Sequence, residues 1–343
     1  MRKLLNTLYI TLENAYLHKD GENIVLESGG EKKFAMPIHN LEGIICIGNT
    51  VVSSHLMGFC AERQVALSFV SEYGKFMARS TGKINGNVLV RKKMYAMTDD
   101  LEMALPVARN FMLGKVANCR AVLERGLRDH GGSIDSETVE KSSVYLRGRL
   151  ERIKSAESYD TLLGYEGECA RRYFEGLDHL VLANKEDFFI KGRSRRPPLD
   201  NMNAIMSFIY TILMHDAQSA LEAVGLDSYV GFYHRDRPGR ASLALDLMEE
   251  LRPVLADRLV LSLVNRKQIT GKDFLQKESG AVLMTDEARK TLLSDWQKRK
   301  KEEITHPFLN EKIEIGLIPY VQAMLLSKHI RGELDGYPPF FWK

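Results

Sequence analysis

Apolar residues fall at every second place, or in short unbroken runs, through the first quarter of the chain. Residues 8–12, 16–18, 23–27, 33–37 and 43–47 follow this pattern, with Gly, Asn, Asp or Lys between many of them. So tight a spacing predicts short strands of an antiparallel sheet. Residues 52–63 read as one helix, 66–70 and 74–78 as further strands, and 82–86 as a turn or linker followed by Arg91, Lys92 and Lys93. Beyond Asp99 the period changes from two to about 3.6. Asp99 or Asp100 caps a helix over 101–128 that stops at 130–132, and a second helix covers 136–155. A third covers 161–174, and 188–198 is an irregular basic loop. Residues 204–224 are apolar nearly all round, which predicts a central buried helix. Further helices are expected over 242–251, 257–265, 285–300 and 316–331, before a tail Tyr337-Pro-Pro-Phe-Phe-Trp-Lys. The pattern predicts an α+β chain: a β-rich N-terminal domain over 1–90, a linker over 91–98, and a larger C-terminal all-α domain over 99–343.

One position interrupts the helical pattern. In the helix over 161–174, Leu162, Leu163, Cys169, Ala170 and Tyr173 form one stripe, and Glu166 falls inside it; Glu168 falls opposite, with Arg171 and Arg172. A carboxylate turned toward a core must be protonated, paired or bound to a metal. Gly164 and Gly167 flank it, each costing a helix interior up to about 1 kcal/mol relative to Ala. The three together predict room for something beside the carboxylate. Pairing of Glu166 with a core Arg is the bland alternative.

Composition narrows the class. The 343 residues suffice for two domains, and 44% hydrophobic with 27% charged is globular. A net charge of +3 does not by itself announce a nucleic-acid binder, so that role has to rest on local clusters. Cys46, Cys60, Cys119 and Cys169 are scattered without CxxC spacing, which argues against structural zinc and disulfides and fits a reducing cytosol. The first residues are too short and polar for a signal peptide, and no apolar run approaches membrane-spanning length.

A second stretch, Tyr233-His234-Arg235-Asp236-Arg237-Pro238-Gly239-Arg240, is a loop, with Ser242 a candidate N-cap for the helix after it. On that helix Asp246 and Glu249 are three residues apart and project side by side. One His and two carboxylates from separate elements suit a divalent cation, Mg²⁺ or Mn²⁺, with open positions for phosphate oxygens. The bland readings are a solvated Asp246–Glu249 face and an ordinary loop histidine, and spacing does not show that Glu166 reaches His234. His215-Asp216 is a rival pair, but adjacent helical residues point about 100° apart. Arg193, Arg195 and Arg196, with Lys191, crowd one loop, and Arg235, Arg237 and Arg240 surround His234; guanidinium forks match phosphate oxygens. The cluster at 298–301 reads as a helix surface.

With these residues in view the sequence resembles the universal CRISPR-associated integrase, the metal-dependent endonuclease that inserts new spacers. The resemblance runs in order through Gly164-Tyr165-Glu166-Gly167, Arg195-Arg196-Pro197-Pro198-Leu199-Asp200, Asn203-Ala204, Ser207-Phe208-Ile209-Tyr210, Gly225-Leu226-Asp227, Gly231-Phe232-Tyr233-His234 and the run from Leu243 through Glu249-Glu250 to Pro253. Length and aromatic tail look like the subtype I-C branch. The resemblance implies an N-terminal β domain that dimerises, a C-terminal helical domain, and metal ligands at Glu166, His234 and Glu249, where many relatives carry Asp in the last position. It implies that Asp246 supports the site or binds metal or a ligand. It further implies a homodimer and a small ferredoxin-like partner that bridges two dimers. The tail over 337–342 then either docks that partner or packs on its own domain.

The function expected is insertion of spacer DNA by 3′-hydroxyl attack on a repeat phosphodiester, with Mn²⁺ or Mg²⁺ as cofactor and the arginine loops on DNA. The alternatives are a non-catalytic DNA-binding scaffold and a phosphohydrolase of small nucleotides; the lack of a Gly-rich phosphate loop counts against the latter.

Overall fold

A computed structural model describes residues 7–41, 43–71, 76–80, 82, 88–194 and 197–342. Arg195, Arg196 and nearly all of the expected turn at 82–86 lie outside these residues. The chain is α+β, with strands first and helices after. The N-terminal part runs β1 (Thr7–Ile10), β2 (Ala15–Asp20), β3 (Asn23–Ser28), β4 (Glu31–Pro37), β5 (Gly43–Ile47), β6 (Thr50–Val52), α1 (Ser54–Glu62), β7 (Ala66–Val70) and β8 (Phe76–Ser80). Its strands form two sheets, ordered β1-β5-β7-β8 and β4-β3-β2-β6.

Neither sheet is purely antiparallel, which corrects the expectation from spacing. β5 runs parallel to both β1 and β7, and β6 runs parallel to β2. The reason lies in β5, which is buried along its whole length. Ile44 and Cys46 join a core with Ile10, Leu17, Leu56 and Leu67, while Ile45 and Ile47 point the other way into the helical core with Val70. An apolar strand covered on both faces is the usual setting of parallel pairing.

The helical part contains α2 (Val88–Asp99), α3 (Leu101–His130), α4 (Ser136–Lys154), α5 (Tyr159–Asp178), α6 (Asn201–Ala223), α7 (Ser242–Arg252), α8 (Arg258–Asn265), α9 (Asp286–Lys300) and α10 (Ile318–Arg331). Two short hairpins, β9 (Phe274–Gln276) with β10 (Val282–Met284) and β11 (Glu303–Thr305) with β12 (Lys312–Glu314), interrupt it. The expected linker at 91–98 is helical: it lies inside α2, which buries Val90, Met94 and Met97. Asp100 caps α3 by accepting from the Glu102 and Met103 amides. α3 packs against α4, α5 and α7, and α7 packs against α6. α6 is the expected central helix, buried on nearly every side.

One surface expectation is overturned, and the tail takes one of its two expected courses. Lys300 is 4% exposed and ion-pairs with Asp216 at 3.0 Å, so the 298–301 cluster is not simply a solvated face. The aromatic tail folds back on its own domain: Tyr337 and Phe340 are each 1% exposed. Among the described residues no helix is long and apolar enough to cross a membrane, and the four cysteines are free and buried.

Candidate active site

Three helices and one loop meet at the site. α5 brings Glu166, α3 brings Lys115, α7 brings Asp246, Glu249 and Arg252, and the loop before α7 brings Tyr233 and His234. Lys115 is 3% exposed, and its ammonium ion-pairs with Glu166 Oε1 and, at 2.9 Å, with Glu249 Oε2. Two carboxylates far apart in sequence therefore converge on one buried cation. α3 and α7 approach closely just there, because a Cβ on Gly114 would stand 2.8 Å from both Cβ and Oε2 of Glu250.

Glu249 is 7% exposed, and Asp246 is fully buried, so they do not form a solvated face. Burial alone would raise the Glu249 carboxyl; Arg252, then Lys115 and His234, outweigh it and hold it down at about 2. Arg252 grips it with two nitrogens, at 3.2 Å to Oε1 and 2.9 Å to Oε2. Oε2 is sealed from solvent, with Lys115 and Arg252 each 2.9 Å from it.

Asp246 builds the loop. Its Oδ2 accepts from the Phe232 amide at 2.7 Å and the Tyr233 amide at 2.9 Å; its Oδ1 accepts from the His234 amide at 2.8 Å and His234 Nδ1 at 2.7 Å. A carboxylate has about four acceptor positions, so none remains for a cation. Asp246 thus holds the loop and the imidazole together. With Nδ1 held this way, the lone pair of the neutral imidazole lies on Nε2. Gly231 allows the fold, since a Cβ there would stand 2.6 Å from the His234 carbonyl oxygen. Tyr159, in the first turn of α5, donates to the Phe232 carbonyl at 2.8 Å and ties the Glu166 helix to the His234 loop. Tyr233 is 5% exposed and lies edge-on to His234 with ring centroids 5.1 Å apart. Burial, then the charges of Glu166, Glu249 and Asp246, keep its phenol protonated well above the usual range.

The stripe expected on α5 is partly redrawn. Leu162, Cys169 and Tyr173 are buried, whereas Leu163 is 50% exposed and Glu166 sits at the edge of the stripe, with its side chain 27% exposed. A Cβ on Gly164 or Gly167 would meet open space. The basic positions divide as well. Arg193 donates to Asn203 Oδ1 at 2.7 Å and lies over the Tyr210 ring, so it anchors its loop to α6 instead of facing outward. Arg240 bonds the Arg235 carbonyl and Ser242 Oγ within its own loop. Arg235 and Arg237 are exposed beside His234, Arg235 with its guanidinium 4.2 Å from the Tyr159 ring centroid.

Among the described residues, no three of His, Cys, Asp and Glu are gathered closely enough to hold a metal ion as they stand. Lys115 lies between the carboxylates. The donor set still fits a divalent ion chemically: two carboxylates, Glu166 and Glu249, and an imidazole oriented by a third carboxylate, Asp246. Sequence reading passed over Lys115, Arg252 and Tyr233. Lys115 carried a usable signal, since it stands in the apolar stripe of Phe111, Met112, Val116 and Cys119 much as Glu166 interrupts its own.

The family model described as CRISPR associated protein Cas1 matches residues 8–298. A curated relative from Rhodospirillum rubrum, named a CRISPR-associated endonuclease Cas1, is 51% identical over the whole of both chains. A casposase bound to integration product superposes with a TM-score of 0.83 at 20% identity, covering 99% of this chain and 95% of that one. A Cas6-RT-Cas1–Cas2 complex gives 0.83 at 20% identity over 99% of this chain and 36% of that one. Those two likenesses establish the fold; the family match and the close relative establish that this chain belongs to the Cas1 family of CRISPR-associated proteins.

Proposed function

We propose that the chain is a metal-dependent integrase and endonuclease that inserts captured DNA into a CRISPR array. The 3′-hydroxyl of a short DNA fragment attacks a phosphodiester at the edge of a repeat. A P–O bond forms to the incoming oxygen, the bond to the repeat's own 3′-oxygen breaks, and no covalent enzyme intermediate is needed. The observation that carries this reading is the convergence of Glu166 and Glu249 on one buried ammonium beside His234. The endonuclease name of the Rhodospirillum relative and the casposase likeness support it.

Glu166, Glu249 and Nε2 of His234 would hold a Mn²⁺ or Mg²⁺ ion, which when bound neutralises charge at the phosphorus and at the leaving oxygen. Lys115 keeps the two carboxylates within reach of each other, and Asp246 fixes the imidazole. Arg235 and Arg237, with Arg195 and Arg196 from the other loop, hold backbone phosphates. The protein acts as a homodimer through its β-rich domain, in the cytoplasm, with a small ferredoxin-like partner; the neighbour solved with Cas2 supports a partner protein, without naming its fold. Its length and tail favour subtype I-C.

The test is a half-site integration assay with Mn²⁺, a 3′-hydroxyl DNA fragment and repeat DNA, run with and without the small partner. Joining is expected from the wild type and lost in Glu166→Ala and His234→Ala, while both variants remain folded dimers. Full joining by either variant removes that residue from the reaction.

A further inference from the structure

Lys115 is a surplus cation at the site. Glu249 is already gripped at both oxygens by Arg252, so its burial does not call for a second positive charge. Yet the Lys115 ammonium stands 2.9 Å from Glu249 Oε2 and also pairs with Glu166, which comes from a different helix. Lys300, the other buried lysine among the described residues, meets one carboxylate, Asp216, at 3.0 Å. Lys115 thus bridges the two carboxylates that would hold a divalent ion. It does so beside an opening. The side chains of Glu166 and His234 are 27% and 25% exposed, so an ion arriving from solvent meets them first.

We propose that Lys115 is a positioning residue that stands in for the divalent ion: it holds Glu166 and Glu249 together when no ion is bound, and it competes with the ion for them. The inference rests on the reading of the site as metal-dependent. Glu166 and Glu249 face Lys115 and Arg252, two formal charges of each sign, so a dication entering the site gains little net attraction while both cations stay. Lys115 is the one built to yield. Its ammonium is a point charge on a flexible four-carbon stem. Arg252 is fixed instead, by its two contacts to Glu249 and by a guanidinium 5.0 Å from the Tyr210 ring centroid. The exchange keeps two like charges on α5 and α7 from repelling each other before the ion arrives.

Lys115→Met keeps most of the aliphatic stem and removes the charge. In calorimetric titrations without DNA, this variant should bind Mn²⁺ about 10-fold or more tightly than wild type, while its melting temperature without metal falls. Glu166→Ala should remove this binding in both backgrounds, which locates it at the site. A role in holding the fold alone would weaken metal binding instead. Lysine labelling reads the wild type without a substitution. An amine-reactive reagent followed by mass spectrometry should find Lys115 protected without metal and modified at saturating Mn²⁺, with Lys300 protected in both. Should Lys115→Met not fold, the labelling decides alone. Mn²⁺ affinity in Lys115→Met equal to or below wild type, or a Lys115 that stays protected at saturating Mn²⁺, would overturn the inference and leave the metal-dependent reading standing. A wild-type chain that binds no Mn²⁺ would overturn both.

Discussion

At the scale of single residues, the site depends on charges that would be costly alone. Asp246 is tolerated in full burial because three amides and an imidazole saturate it. Asp246→Asn would turn one acceptor into a donor facing amide hydrogens, unlatching the His234 loop. We expect Mn²⁺ affinity or strand joining to fall about 10–100-fold, the usual effect of removing the group that orients a ligand; calorimetric titration alongside the joining assay checks it. Glu250, next along α7, behaves differently. It accepts from Gln322 at 3.0 Å, from the Phe340 amide at 2.8 Å and from Tyr337, yet burial still pushes it up to about 7. The folded chain thus keeps this proton between about pH 4.5 and 7, where the unfolded chain has lost it. The stability tied to it is complete below about pH 4.5 and is lost as pH rises through about 7, up to about 3 kcal/mol in all. Melting curves should show wild-type stability declining across that window and a flatter profile for Glu250→Gln.

At the scale of elements, the tail acts as a clasp. Asn118 of α3 donates to the Phe340 carbonyl at 2.8 Å and accepts from the Trp342 amide at 2.8 Å, while Glu250 of α7 holds Tyr337 and Phe340. The tail therefore ties together the two helices that carry Lys115 and Glu249. Phe340→Ala should destabilise the fold by about 3–5 kcal/mol in urea titrations. Phe341, which is 41% exposed, serves as the control, and its alanine variant should stay within about 0.5 kcal/mol. The short hairpins, three residues per strand, were beyond periodicity, and α2 was hidden by the basic run Arg91-Lys92-Lys93 on its outer face. The long helices were legible because their apolar stripes recur over many turns.

At the scale of the whole molecule, a net charge of +3 leaves DNA affinity to local clusters, and burial reduces them. Arg193 is spent on Asn203 and Tyr210, and Arg240 on its own loop, which leaves Arg235 and Arg237 as the exposed pair beside His234. Replacing Arg235 and Arg237 together by Ala should weaken DNA binding across sequences and lower the slope of log affinity against log salt by about 2. Equal slopes in binding assays at several salt concentrations would show that neither side chain neutralises a phosphate.

The order of strands and helices, the misplaced Glu166 and the paired acids of α7 were written in one dimension, because periodicity and burial act over neighbouring residues. Which charge meets which was not. Lys115 and Glu166 stand on different helices, and nothing in the spacing shows that three backbone amides close on Asp246. Pairing across long loops is set by how helices pack, and α3 comes close to α7 where Gly114 leaves room for the Glu250 side chain. The residues capable of chemistry were therefore a property of the sequence; their division into holders and held was decided by packing alone.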